Sequence, residues 1–234
     1  MAWDSYTKLM LHFNGADAST IFTDEIGHTF TPHGNAQIDT AQSKFGGASG
    51  LFDGTGDYLT TPDNADWNFG SGDFTIDFWV RLNSVTATQV FCGDYTGSTH
   101  RSWIVYFTPN QLHFAYSTNG SNNTDTGKAW TPSANTWYHI AIVRYGNTIT
   151  WYVDGSSIGT LDVTGITLQW QAGYVLYIAQ EGNGSYTNGW LDELRISKGI
   201  ARWTANFTPP TGEYEAGAAV YIPRHSGTVG VLIF

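Results

Sequence analysis

The run from Phe74 to Leu82 alternates without a break. Phe74, Ile76, Phe78, Val80 and Leu82 fall on one face, and Thr75, Asp77, Trp79 and Arg81 on the other. A period of two belongs to a strand with one face in a core, and no helix satisfies it. The pattern recurs along the chain. Trp151 and Val153 oppose Tyr152 just before Asp154-Gly155, a hairpin signal. Gly and Asn collect at 93–98, 119–124 and 181–185, which reads as three exposed loops. Helical periodicity is absent over any three turns, although 64–68 and 201–203 could each form a single helical turn. The expectation is an all-β fold, a two-sheet antiparallel β-sandwich of jelly-roll type with roughly a dozen strands, and with Phe74, Ile76, Phe78, Leu194 and Ile196 facing the core.

A chain of 234 residues with ten Trp and only 13% charged residues suits one large sandwich whose solubility rests on Gly, Thr, Ser and Asn. The net charge of −10, with ten Lys plus Arg and no basic run, argues against nucleic-acid binding. An acidic surface favours cations instead. Cys92, the single cysteine, sits in the apolar stretch Val90-Phe91-Cys92 and reads as a small buried thiol. Met1 to Tyr6 lacks the basic and apolar regions of a signal peptide, and no run approaches the ~18 apolar residues of a membrane span. Synthesis in a cytoplasm and no membrane insertion are expected.

In Leu191-Asp192-Glu193-Leu194-Arg195-Ile196, strand alternation places Asp192 on one face with Leu194 and Ile196. A carboxylate aimed inward needs a cation or several N–H donors. The stretch Gly189 to Pro210 that contains it, together with Lys8 to Asp17, Phe45 to Gly54, Asp57-Tyr58-Leu59, Asp73 to Arg81, Trp137 to Ala141 and Ile149 to Gly155, resembles the laminin G-like, concanavalin A-like lectin/glucanase domains of phage and marine-virus type. The resembling blocks span residues 8 to 210 in order. That places a sandwich at 1–210, a small acidic linker at 211–219, and a β-hairpin or attachment segment at 220–234.

The resemblance implies a structural calcium ion, which glucanase-type relatives hold with an Asp of the last core strand and oxygens near the N-terminus. Asp192 matches that Asp, and Asn14 and Asp17 are the candidate partners, oxygen ligands suited to Ca²⁺. The alternative is that Asp192 accepts hydrogen bonds from turn amides with no ion. Asp53 to Asp57 reads as a second ligand loop or as a plain turn. Related glucanases carry alternating carboxylates on one strand, about 5 Å apart across the scissile bond. The matching segment Arg101 to Phe107 has none, so no enzymatic activity is expected, with a β-glucanase-type hydrolase as the weakest alternative.

Sugar sites pair an aromatic platform with hydrogen-bonding side chains. Trp79 with Arg81, Arg101 with Trp103, and the loop aromatics Tyr95 and Trp170 are the candidate ligand-binding residues, against the alternative that the Trp side chains fill the core. The function expected is therefore a carbohydrate-binding adhesion module on a virion, part of a tail or capsid surface. Its partners would be a glycan or host-surface polysaccharide, other virion proteins and possible copies of itself as a homo-oligomer. Two alternatives stand beside it: a purely structural virion subunit attached through 220–234, and a secreted carbohydrate-processing accessory domain.

Overall fold

The computed structural model describes residues 2–97, 100–182 and 184–216, so the expected hairpin at 220–234 lies outside the described residues. Within them run seventeen strands. In chain order these are β1 Ala2–Trp3, β2 Thr7–Leu11, β3 Thr31–His33, β4 Gln37–Asp39, β5 Ser49–Asp53, β6 Tyr58–Thr61, β7 Phe74–Leu82, β8 Gln89–Tyr95 and β9 Arg101–Thr108. They continue as β10 Gln111–Tyr116, β11 Thr124–Ala129, β12 Trp137–Tyr145, β13 Thr148–Val153, β14 Ser156–Asp162, β15 Leu176–Ile178, β16 Asn188–Lys198 and β17 Glu215–Ala216. A 3₁₀ turn at Ala65–Trp67 is capped by Asn64, whose side chain accepts from the Asp66 amide, as the sequence suggested. Ala201 to Trp203 is not helical.

Two sheets face each other. One has the order β11-β10-β9-β8-β15-β6-β3, the other β14-β13-β12-β7-β16-β5-β4, with β2 paired to β16 beside it. The pairings within both sheets are antiparallel, and the expected sandwich is what forms. Phe74, Ile76, Phe78 and Val80 meet Phe91, Trp103, Phe107 and Phe114 across the gap, all fully buried. Rings interlock between the sheets, Phe78 with Phe91 at 5.1 Å and Phe74 with Phe114 at 5.7 Å between centroids. Cys92 is buried there too, and burial pushes its thiol up.

One expectation about faces is overturned. Opposite β7, Asp192 pairs with Trp79 and Arg195 with Asp77, so β16 inserts an extra residue between them. The bulge is at Glu193, which has φ +51°. An added residue shifts the side-chain alternation by one. Leu191, Leu194 and Ile196 therefore all enter the core, while Asp192 and Arg195 take the opposite face beside Trp79 and Asp77.

That opposite face is not open to water. After β16 the chain returns across it as a strap from Gly199 to Ala216. Thr75 Oγ1 donates to the Ile200 carbonyl and accepts from the Arg202 amide. Trp203 and Phe207 stack at 3.9 Å over His139 and Tyr152. Gly155, at φ +75°, admits the Phe207 carbonyl so closely that a Cβ there would lie 1.8 Å from its oxygen. The strap's last part was expected to be a linker. Instead Tyr214 is buried, and Glu215 and Ala216 pair in parallel with β1.

Beneath the strap lies a fully buried ion pair. Arg195 Nε donates to Asp77 Oδ1 at 3.0 Å and Nη2 to Oδ2 at 3.1 Å. The Tyr214 hydroxyl also donates to Asp77 Oδ2, and the Tyr214 ring lies 3.9 Å from the guanidinium carbon. Burial pushes the Asp77 carboxyl up, but Arg195 and His139 outweigh it and hold the group below its ordinary value of 3.8. A depressed carboxylate stabilises the folded state above its ordinary pKa, and this contribution is lost as pH falls through the folded value. Asp77→Asn strands a buried guanidinium and should cost about 3–5 kcal/mol in urea unfolding at pH 7. The variant should also lack the Asp77 share of the stability expected to be lost as pH falls below about 4, so its stability should change less over that range than the wild type's.

Candidate functional site

The sandwich separates the residues proposed for ligand contact. Trp103 lies in the core, where its Nε1 donates to the Trp67 carbonyl at 2.9 Å and its ring packs 5.0 Å from Phe69. It is fully buried and cannot stack on a sugar. Arg101, two residues earlier, does not pair with it. Its guanidinium donates to the carbonyls of Gly97 and Ser121 and so ties two loops together. Tyr95 is 7% exposed and packs with Val90, Ile104 and Ala115 on the outer face of the seven-stranded sheet. Trp170 is half-buried in the loop that precedes β15.

Trp79 and Arg81 stand on the far side of the molecule, on the outer face of the eight-stranded sheet. Arg81 Nε donates to Gln42 Oε1, with its guanidinium 5.4 Å from the Trp190 ring. Trp79 is 5% exposed, with Phe45 edge-on at 5.8 Å and the Lys44 ammonium 3.9 Å over its ring. Its rim reaches a cleft of about 400 Å³ shared with Pro209 and Pro210. The six candidates thus do not form one site.

A different aromatic group does converge. On the outer face of the seven-stranded sheet, β6 and β15 alternate core aliphatics with outward aromatics: Leu59 between Tyr58 and Thr60, and Tyr177 between Leu176 and Ile178. Cross-strand neighbours on one face touch. His33 stacks on Tyr58 at 4.2 Å, and Tyr177 and Tyr186 lie 6.0 and 6.2 Å from the same ring. All four are half-buried. Beside Tyr177 the floor is bare backbone at Gly93, where a Cβ would come within 2.9 Å of Ile104.

Tyr186 also borders a cleft of about 270 Å³ lined by Ser84, Thr88, Gln89, Ser185 and Asn188. Further along the face, the Tyr106 ring stacks on His113 at 4.5 Å, and both side chains hydrogen-bond Asp125. Burial pushes the Asp125 carboxyl up, but those bonds outweigh it and hold it below its ordinary range. The sequence signal for this group was the aromatic-aliphatic alternation in two strands of three or four residues, each too short to stand out beside Phe74 to Leu82.

The candidate calcium ligands have separate partners. Asp192 Oδ2 accepts from the Lys44 and Phe45 amides at 2.7 and 3.1 Å, and burial raises this carboxyl to about 8. Its Oδ1 has no hydrogen-bond partner among the described residues. Asp17 accepts from the Thr40 amide and hydroxyl, and Asn14 donates to Glu213. The loop at Asp53 is a turn: Asp57 accepts from the Asn35 and Asp53 amides, and Asp53 from Thr55.

Two antiparallel sheets stacked with all-β connections define the class as a concanavalin A-like sandwich. The chain belongs to the concanavalin A-like lectin/glucanases superfamily, whose laminin G-type profile matches residues 53–203. Comparison with curated protein sequences gives no match. Among solved structures, the chain is similar to the binding domain of Paraclostridial Mosquitocidal Protein 1, at 17% identity and TM-score 0.64, covering 83% of this chain and 49% of that one. It is also similar to the binding domain of botulinum neurotoxin DC in complex with SialylT, at 14% identity and TM-score 0.57, covering 84% and 49%. A third is a botulinum neurotoxin type C structure whose description makes cell entry dependent on two ganglioside molecules, at 14% identity and TM-score 0.57, covering 83% and 48%. The chain spans about half the length of these structures, and the likeness is one of fold.

Trp103→Ala should unfold the protein more easily by about 3–5 kcal/mol, through loss of core volume. Circular dichroism melting checks this. Asp192→Ala removes the acceptor of two part-buried amides, at about 1 kcal/mol each. Asp192→Asn keeps an acceptor there and should cost clearly less in the same measurement.

Proposed function

We propose that this domain is a non-enzymatic carbohydrate-binding module whose glycan seat is the aromatic wall of His33, Tyr58, Tyr177 and Tyr186 with the polar cleft beside it. The observation that carries the reading is that wall: half-buried rings clustered on one sheet face next to Ser, Thr, Gln and Asn side chains. Flat apolar surface flanked by hydrogen-bonding groups is what a sugar ring needs. The glycans named for the neurotoxin binding domains, which share the fold, support the same class of ligand. One further point favours binding without catalysis. β9 carries no Asp or Glu, and glycoside hydrolysis needs two carboxyl groups at defined separation.

The wider setting, a virus tail or capsid surface made in a host cell, follows from the phage-type resemblance and is proposed with it, with glycan and other virion proteins as partners. Calcium belongs to the same proposal through the free Oδ1 of Asp192. An ion bound only by the native state stabilises it by about 2–4 kcal/mol at saturation. Melting should then rise with Ca²⁺ and fall with chelator in the wild type but not in Asp192→Ala.

A glycan array probed with the purified chain tests the main reading. Tyr58→Ala and Tyr177→Ala should each weaken binding to the same saccharide about fivefold or more, the equivalent of about 1 kcal/mol for a lost ring contact. Their melting should change little compared with Trp103→Ala. Equal binding by both variants, or release of reducing sugar from laminarin or lichenan that one acidic substitution abolishes, would remove the proposal.

A further inference from the structure

We propose that His12, Glu193 and Glu213 form a divalent transition-metal site that joins the beginning of the domain to its end. His12 follows directly on β2, Glu193 is the bulge residue of β16, and Glu213 lies in the strap. Their ligand atoms all lie within 4.8 Å of one another. One imidazole nitrogen with two carboxylates is a donor set that Zn²⁺ and its first-row neighbours accept. It is distinct from the oxygen-only set expected for calcium.

The ligands are held in place from behind. Glu193 is buried, with Oε1 2.6 Å from His12 Nδ1, and its Oε2 accepts the Tyr214 amide at 2.7 Å. Glu213 Oε1 accepts from Asn14 Nδ2, and both side chains rest against Gly46, at φ +59°, where a Cβ would lie 2.1 Å from Asn14 Oδ1 and 2.4 Å from Glu213 Oε1. Second partners of this kind orient metal ligands. His12 and Glu213 open on a cleft of about 340 Å³ that Glu25 and Glu215 also line, and among the described residues no Lys or Arg lines it. The carboxylates of Glu193, Glu25 and Glu213 thus lie close to one imidazole.

Zinc bound at about 2.0–2.2 Å places its tetrahedral ligands about 3.4 Å apart. On binding, the direct His12–Glu193 hydrogen bond opens, the neutral imidazole ligates through Nδ1 with its one proton on Nε2, any proton released from an imidazolium goes to water, and Glu213 closes in on the ion. The fourth position faces the cleft, as in sites that keep an open place. Binding would fasten the strap, and with it the β1–β17 pair, to β2 and β16.

The test uses the full chain, titrated with Zn²⁺ and with Co²⁺ by calorimetry and visible absorption. The wild type should bind one equivalent of either at submillimolar metal, Co²⁺ should show visible d–d bands, and Zn²⁺ should raise the melting temperature. His12→Gln and Glu213→Gln sit at partly exposed positions. They should remain folded by circular dichroism and each lose at least tenfold in affinity together with the melting shift. Glu181→Gln, in a loop of the other sheet, should match the wild type. Absence of binding to the wild type, or wild-type affinity in either the His12 or the Glu213 variant, overturns the site. A negative glycan array has no bearing on these outcomes.

Discussion

One extra residue in β16 decides how the two faces of the eight-stranded sheet are furnished. Glu193 takes φ +51°, a left-handed conformation that costs a non-glycine residue on the order of 1 kcal/mol. Without it, strict alternation after Leu191 would put Glu193 and Arg195 in the core and send Leu194 and Ile196 outward. With it, two aliphatics enter the sandwich and Arg195 lands opposite Asp77. The offset in free energy is large, since burying Leu and Ile contributes about 1.5–3 kcal/mol each. The same backbone reversal frees the Glu193 carboxylate to reach His12 and the Tyr214 amide.

The strap depends on that placement. Antiparallel sheets commonly leave one face to water. Here the outer face of the eight-stranded sheet carries Asp77, His139 and Arg195, all buried, and a buried charge needs a partner and hydrogen bonds. The bidentate Arg195–Asp77 pair and the Tyr214 hydroxyl supply them, and the Trp203–Phe207 stack excludes water above. Residues 199–216 are therefore a second covering layer rather than a tail. Trp79, which alternation alone placed on a solvent face, is mostly covered for this reason.

The other sheet differs. Among the described residues its outer face carries no such lid over β6 and β15, and its aromatics are half-buried. Among the described residues the sandwich thus has a sealed side, which holds β1 and β17 together, and a side whose rings are half-buried. The proposed glycan seat and the proposed metal site fall on these two sides, and neither depends on the other.

Much of the fold was legible from residue order. The alternation from Phe74 to Leu82 predicts both faces of β7 correctly, because the period of two is a local property of an extended backbone. Blocks matching the superfamily, the hairpin at Asp154-Gly155 and the turn at Asn64 are local in the same sense. Face assignments failed wherever a non-local pairing intervened. Local alternation aims Asp192 inward because nothing in Leu191 to Ile196 announces that Glu193 will bulge; the bulge fits β16 to the register of β7 on one side and β2 on the other. Trp103 looked like half of a binding pair with Arg101, yet the packing of Phe69 and the Trp67 carbonyl took it into the core. Tyr58, Tyr177, Tyr186 and His33 come from segments up to about 150 residues apart, as do His12, Glu193 and Glu213 over about 200. Residue order determined the sandwich and the strands; tertiary structure alone decided which side chains meet, because contact between distant segments is set by sheet order and register and not by local periodicity.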